Sequence, residues 1–119
     1  MDELAKIFIS IIAVIHIYIG WIEMFAWESR GPKVFKSFPK TLFASTKPLA
    51  GNQGLYNVFL AAGLIWSLLV DDLMWSRNLG LFFLGCVAVA GIYGALTAEK
   101  KIIFIQAVPA ATAIILLLF

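Results

Sequence analysis

Charged residues are scarce in this chain, which argues against a soluble domain. Asp, Glu, Lys and Arg make up 13% of its 119 residues, against about 25% in a typical soluble domain. Hydrophobic residues make up 62% and fall in long runs that charges interrupt only briefly. Such a chain has too few polar side chains to cover a water-exposed surface. We therefore predict an integral membrane protein whose partner is the lipid bilayer.

Cysteine and histidine are nearly absent, since the chain has one of each, Cys86 and His16. A single cysteine forms no disulfide within the chain, and Cys86 is interpreted as a small apolar packing residue. We expect no metal and no cofactor, because these residue types give no recognisable ligand set. No catalytic motif is present, and a net charge of +2 is too small to indicate nucleic-acid binding.

Four apolar runs predict four transmembrane helices, because only helices satisfy their backbone groups in lipid. The predicted spans are residues 4–27, 48–70, 79–96 and 102–119. The first run lacks the basic start of a signal peptide, so we expect it to be retained. With no repeat or linker, residues 1–119 are predicted to form a single domain. The predicted fold class is an all-α membrane protein, a four-transmembrane-helix bundle with a basic cytoplasmic loop between helices 1 and 2.

The basic residues predict the orientation of the chain. Seven lie in the first and third loops and two on the opposite side: Arg30, Lys33, Lys36, Lys40, Lys47, Lys100 and Lys101, against Lys6 and Arg77. Because cytoplasmic loops are enriched in Lys and Arg, loops 1 and 3 should be cytoplasmic and both termini outside. The predicted location is a bacterial plasma membrane, crossed several times.

The loop over residues 28–47 interleaves lysines with phenylalanines, and Pro32 and Pro39 divide it. One interpretation is a segment that lies on an anionic cytoplasmic leaflet. The alternative is a lid over the cytoplasmic end of the bundle.

Two later features concern helix packing. Gly91 and Ala95 form a small-x-x-x-small pair, which permits close helix approach within the chain or, alternatively, in a homo-oligomer. Pro109 removes one backbone hydrogen bond and is expected to bend the fourth span just beyond Gln106.

Polar residues recur on one face of the first span, where His16, Gly20, Glu23 and Trp27 are separated by four, three and four residues. A carboxylate near a hydrocarbon core is costly unless it is paired or hydrated, so this face should point into the bundle. With the predicted topology, other polar side chains reach the same depth near the cytoplasmic side. The predicted ligand-binding set is Glu23, His16, Trp27, Asn52, Gln53, Asn57, Tyr93 and Gln106.

The residues that carry these features also resemble a known family. They are His16, Glu23-Met24-Phe25 and Trp27, the string Asn52-Gln53-Gly54-Leu55-Tyr56-Asn57, and Gln106 before Pro109-Ala110. This pattern, over essentially the whole chain, resembles the domain-of-unknown-function 1304 family of small four-helix bacterial membrane proteins. The resemblance implies the fold and a bacterial plasma membrane, and it implies no activity.

Three functions remain open from the sequence. The first is binding or transport of a small amphipathic or cationic molecule, with Glu23 as the ionic or proton-coupled contact. Four short helices enclose little volume, so transport would require an oligomer. The second is a membrane enzyme that acts on a lipid-like substrate, with Glu23 or His16 as acid or base. The third is an accessory or assembly protein whose polar network only fixes helix packing.

Overall fold

The computed structural model describes residues 1–119, and the chain is all-α. Three long helices come first: α1 (Glu3–Phe25), α3 (Lys47–Leu69) and α4 (Leu73–Thr97). A short helix α2 (Gly31–Val34) and a 3₁₀ turn (Lys40–Leu42) lie between α1 and α3. After α4 come a π-helical turn (Ile103–Ala107) and α5 (Val108–Leu118).

Two helices, α1 and α4, are long and apolar enough to cross a membrane by length and composition alone. The π-helical turn and α5 together form a shorter apolar helix over residues 103–118. Helix α3 is as long as α1, but it contains Asn52, Gln53 and Asn57 and is therefore less apolar. The membrane-spanning prediction therefore has support from two of the four predicted spans.

The chain divides into two compact units. The first unit comprises residues 1–14 and 60–119, and the second comprises residues 15–59. The core of the first unit is apolar and draws on four helices; its fully buried members include Ile9, Leu64, Leu84, Val87 and Ala113. Small residues allow close packing there, since a Cβ on Gly91 would lie 2.7 Å from the backbone nitrogen of Ala107. This agrees with the interpretation of Gly91 as a position of close approach within the chain.

Two hydrogen bonds also join neighbouring helices at one end of the first unit. The Ser76 hydroxyl donates to the Ser67 carbonyl at 2.6 Å, and both side chains are buried. The Arg77 Nε donates to the Leu117 carbonyl at 2.8 Å, near the C-terminal end of α5. A cation suits this position because the last carbonyls of a helix have no intrahelical partner.

The helix boundaries differ from the predicted spans in several places. The helix α4 begins at Leu73, six residues before the predicted start, because the Asp72 side chain accepts the Trp75 backbone N–H at 3.0 Å and caps it. The predicted first span reaches Trp27, whereas α1 ends at Phe25 and the chain turns there. Helix α3 begins at Lys47, one residue before the predicted start at Pro48.

Candidate functional site

The buried carboxyl of Glu23 lies near the C-terminal end of α1 and is hydrogen-bonded to Asn57 of α3. The Asn57 Nδ2 donates to Glu23 Oε1 at 2.5 Å. Glu23 exposes only 5% of its surface, and Asn57 is half-buried. Both residues belong to the second unit. An amide donor from another helix thus stabilises a carboxyl that has little access to solvent.

Two glycines bring α1 and α3 together beside this pair. A Cβ on Gly54 would lie 2.8 Å from the Gly20 carbonyl oxygen and 2.9 Å from the Glu23 Cβ. A Cβ on Gly20 would in turn lie 3.0 Å from the Gly54 carbonyl oxygen and 2.8 Å from a Val58 methyl group. The helices therefore cross in backbone contact, and Asn57 reaches Glu23 because it follows Gly54 by three residues on α3.

Glu23 takes part in none of the ion pairs of the chain. The ion pairs of the chain join Lys6 to Glu3, Lys47 to Glu28 and Lys101 to Glu99. All of these pairs lie near the surface, and none includes Glu23. A buried charge is costly unless an opposite charge or several hydrogen bonds compensate it. Here the carboxyl accepts a hydrogen bond from the Asn57 amide.

Trp27 lies in an aromatic cluster just beyond the end of α1. Its ring centroid is 4.7 Å from that of Phe43, 5.3 Å from Phe35 and 5.7 Å from Phe38. Its indole Nε1 donates to the Thr46 hydroxyl at 3.0 Å. Trp27 is 8% exposed, so the cluster is the core of the segment that connects α1 to α3.

The other predicted site residues lie in different surroundings. His16 is buried on α1, with 1% exposure. Asn52 and Gln53 are exposed on α3. In the first unit, Tyr93 is 69% exposed and Gln106 is partly buried, with its Cβ close to Gly91. Among the eight predicted residues, Glu23 and Asn57 share a direct hydrogen bond.

Two polar contacts near this region were not predicted from the sequence. One is the acceptor role of Thr46, whose hydroxyl also donates to the Leu42 carbonyl at 2.7 Å. The other joins Arg30 Nε to the Tyr18 hydroxyl at 2.7 Å. Both contacts depend on how the chain turns after α1, and no spacing in the sequence indicates that turn.

Comparison with known proteins assigns the chain to a family. The model of the family described as protein of unknown function (DUF1304) matches residues 10–118. The chain belongs to this family. The chain is also similar to the uncharacterized protein YpaA of Lactococcus lactis subsp. lactis (strain IL1403), at 31% identity over 108 residues, which cover 89% of each chain. No solved structure matches the chain. The resemblance seen in the sequence is thereby confirmed, and the Glu23–Asn57 pair lies within the matched residues.

Proposed function

We propose that the protein spans a bacterial plasma membrane with four helices and binds a small cationic or amphipathic molecule at Glu23. The spans are α1, α3, α4 and the continuous helical stretch over residues 103–118. The bacterial location draws support from the Lactococcus lactis relative. The arguments for the membrane and for the ligand rest on different observations.

The membrane proposal is supported by an exposed apolar stripe along α1. Large apolar side chains recur on one face over five turns, and each is at least 44% exposed: Ile7, Ile11, Val14, Ile17, Trp21 and Phe25. Their spacing of three or four residues keeps them on the same side of the helix. A stripe of this length would cover roughly 27 Å at 1.5 Å per residue, close to the thickness of a hydrocarbon core of about 30 Å. Lipid is the solvent that suits such a face.

The proposed topology follows from the basic residues. With the connection between α1 and α3 in the cytoplasm, seven Lys and Arg side chains lie on that side and two on the other. Both termini then lie outside, and Glu23 lies near the cytoplasmic end of its span.

The ligand proposal is supported by one observation above all: Glu23 is a buried carboxyl that accepts a hydrogen bond from a neutral amide and belongs to none of the ion pairs of the chain. A cationic ligand would supply a positive charge to pair with the Glu23 carboxylate. An amphipathic cation could also reach this site from the lipid phase. Transport of that ligand, in an oligomer, is the extended form of the proposal.

The test is equilibrium binding of tetraphenylphosphonium, a lipophilic cation, to the purified protein in detergent micelles, with protein-free micelles as the blank. We expect Glu23→Gln to weaken binding at least tenfold, equivalent to about 1.4 kcal/mol. Glu28→Gln is the matched control, because Glu28 is half-exposed and paired with Lys47. Equal affinities for the wild type and Glu23→Gln would contradict the proposal.

A purely structural role is the second candidate, and the Gly20–Gly54 contact favours it. In that case the Glu23–Asn57 hydrogen bond fixes the register of two helices that already touch. The two candidates differ in outcome, since the structural role predicts that Glu23→Gln lowers the melting temperature and leaves cation binding unchanged. The membrane-enzyme alternative has no supporting contact of its own.

A further inference from the structure

The connection between α1 and α3 carries an unusual excess of unpaired positive charge. Residues 30–47, which we name the basic segment, contain five of the nine Lys and Arg residues: Arg30, Lys33, Lys36, Lys40 and Lys47. No Asp or Glu occurs between Ser29 and Val70. All five basic residues are exposed, and only Lys47 has a carboxylate partner, Glu28. This surface is therefore complementary to an anionic partner.

The basic segment has a fixed shape, because its aromatic residues pack inward. Phe43 is 3% exposed and lies against Trp27, and Phe38 meets it edge to face at 5.0 Å. A Cβ on Gly31 would lie 2.7 Å from the Phe43 ring, so α2 is packed tightly on this cluster. Because the aromatic rings pack against each other, the lysine side chains of the basic segment lie on its exposed surface.

Arg30 is oriented by Tyr18 and keeps part of its guanidinium available. Its Nε donates to the Tyr18 hydroxyl at 2.7 Å, and its Cζ lies 5.8 Å from the centre of the Tyr18 ring. That hydrogen bond does not use the Nη groups, which can donate to a phosphate in parallel. Lys33 follows Arg30 by three residues in α2, a spacing that places the two side chains on the same side of this helical turn.

Exposed apolar side chains on the face of α1 that carries Tyr18, the partner of Arg30, favour a lipid as the anionic partner. Trp21 stacks on Tyr18 with ring centroids 6.3 Å apart, and it is 46% exposed. Phe25, at the end of the same face of α1, is 74% exposed. Both side chains belong to the exposed apolar stripe of α1, and basic residues at the cytoplasmic end of a membrane-spanning helix bind anionic leaflets. A free phosphate would make no use of the exposed Trp21 and Phe25.

We propose that the basic segment is a docking surface for the headgroups of anionic phospholipids, with the Arg30 guanidinium as the phosphate contact. This inference rests on the four-span membrane proposal, and it does not depend on a ligand at Glu23. Among the two sequence-based interpretations of residues 28–47, it adopts the leaflet-bound segment. The surface would hold the cytoplasmic ends of α1 and α3 at the level of the headgroups.

The test compares spin-labelled phosphatidylglycerol with spin-labelled phosphatidylcholine around the protein reconstituted in phosphatidylcholine vesicles. Electron paramagnetic resonance measures the relative association of each lipid with the protein. We expect a preference for phosphatidylglycerol that falls at 1 M NaCl, where the screening length is about 3 Å. Lys33→Gln/Lys36→Gln and, separately, Arg30→Gln should each remove at least half of that preference.

The matched control is Lys6→Gln/Lys101→Gln, which loses the same charge from two lysines that already have carboxylate partners. The docking surface is contradicted if the wild type shows no preference, or if the control loses as much as Lys33→Gln/Lys36→Gln. Inorganic phosphate should reduce the preference no more than NaCl of equal ionic strength; a larger reduction would assign the surface to free phosphate and overturn the lipid.

A separate experiment distinguishes failure of the membrane proposal from failure of the docking surface. Extraction of the protein from neutral vesicles by alkaline carbonate would contradict the four spans. Lipid binding by the basic segment would still be measurable in that case, by comparing the co-flotation of the wild type and Lys33→Gln/Lys36→Gln with phosphatidylglycerol vesicles. Loss of co-flotation in the variant would support the docking surface.

Discussion

At the scale of single residues, Asn57 carries the interaction that distinguishes Glu23 from the other carboxylates. The remaining acidic residues of the chain are near its surface, and those with charged partners pair with lysines. Glu23 instead receives a hydrogen bond from a side chain 34 residues away in the sequence. The stability of the second unit should therefore depend on Asn57 far more than on its polar neighbours in α3.

We predict that Asn57→Ala lowers the free energy of unfolding by about 1–3 kcal/mol, because it leaves a buried carboxyl without its amide donor. The measurement is thermal unfolding of the purified protein in detergent. Asn52→Ala is the matched control on the same helix: Asn52 is exposed, so its change should stay within about 0.5 kcal/mol. Equal losses in the two variants would show that the hydrogen bond to Glu23 does not stabilise the protein.

The sequence allowed Glu23 and Asn57 to be selected, but it did not separate them from Asn52 and Gln53. Asn57 and Gln53 are one turn apart, and both were predicted to face inward. The buried face of α3 instead passes through Ala50, Gly54 and Ala61, one residue away from Gln53. The buried face of α3 is therefore rotated by about one residue from the predicted face. Which face is buried depends on where α1 packs, and the spacing of residues along a helix does not determine that.

At the scale of helices, the contact between α1 and α3 depends on the absence of a side chain at Gly54. The sequence placed Gly20 on the same face of the first span as His16 and Glu23, and it placed Gly54 between Gln53 and Leu55 in the segment that resembles the family. It did not indicate that the two glycines are in contact. Backbone contact is a property of two helices together, so it becomes visible only in three dimensions.

Gly54→Ala should destabilise the protein by about 1–3 kcal/mol, since the added methyl group would overlap the Gly20 carbonyl and the Glu23 side chain. Gly51→Ala, in the same helix, has nothing within 4 Å of the new Cβ. That variant should be neutral or more stable by up to about 1 kcal/mol, the helix propensity difference between Ala and Gly. Thermal unfolding of the pair decides the point, and a destabilisation of Gly51→Ala as large as that of Gly54→Ala would contradict it.

The aromatic cluster should likewise determine whether the basic segment is ordered. We expect Trp27→Ala to increase the rate of trypsin cleavage after Lys33, Lys36 or Lys40 at least tenfold, because the ring fills the centre of the cluster. Trp75→Ala serves as the control, since Trp75 is 57% exposed. Cleavage followed by mass spectrometry measures both rates. Unchanged cleavage in Trp27→Ala would mean that other contacts hold the segment.

Helix positions were predictable to the extent that apolar runs define them. The four runs correspond to α1, α3, α4 and the stretch over residues 103–118. The early start of α4 depended on an Asp72 cap that hydropathy does not detect. The π-helical turn before Pro109 lies where the sequence predicted a bend, and there the Val108 N–H bonds to the Ile103 carbonyl, five residues back. The fold of residues 26–46 was not predictable, because it depends on Trp27 meeting Phe43 across a turn.

At the scale of the whole molecule, the proposed four-span topology would place Ser37 and Asp71 on opposite sides of a membrane. In a Cys86→Ser background, we predict that an impermeant maleimide added to intact cells labels Asp71→Cys and not Ser37→Cys. Inside-out vesicles should reverse the pattern. Labelling of both positions from the same side would mean that α3 does not cross, and it would contradict the four-span proposal.

The proposed ligand site has one requirement, which is that a cation would have to reach Glu23 within the folded protein. Glu23 is 5% exposed, so a ligand has to displace neighbouring side chains or separate α1 and α3 locally. A reagent that reacts with carboxyl groups in apolar surroundings would report on that access at a single residue.

The most direct measurement is therefore the modification of Glu23 by a hydrophobic carbodiimide, located by mass spectrometry, with and without tetraphenylphosphonium. We predict that Glu23 reacts in preference to Glu28 and that the cation slows the reaction at Glu23 at least fivefold while leaving Glu28 unaffected. A carbodiimide reaction at Glu23 that proceeds at the same rate with saturating cation would contradict the assignment of Glu23 as the ligand contact.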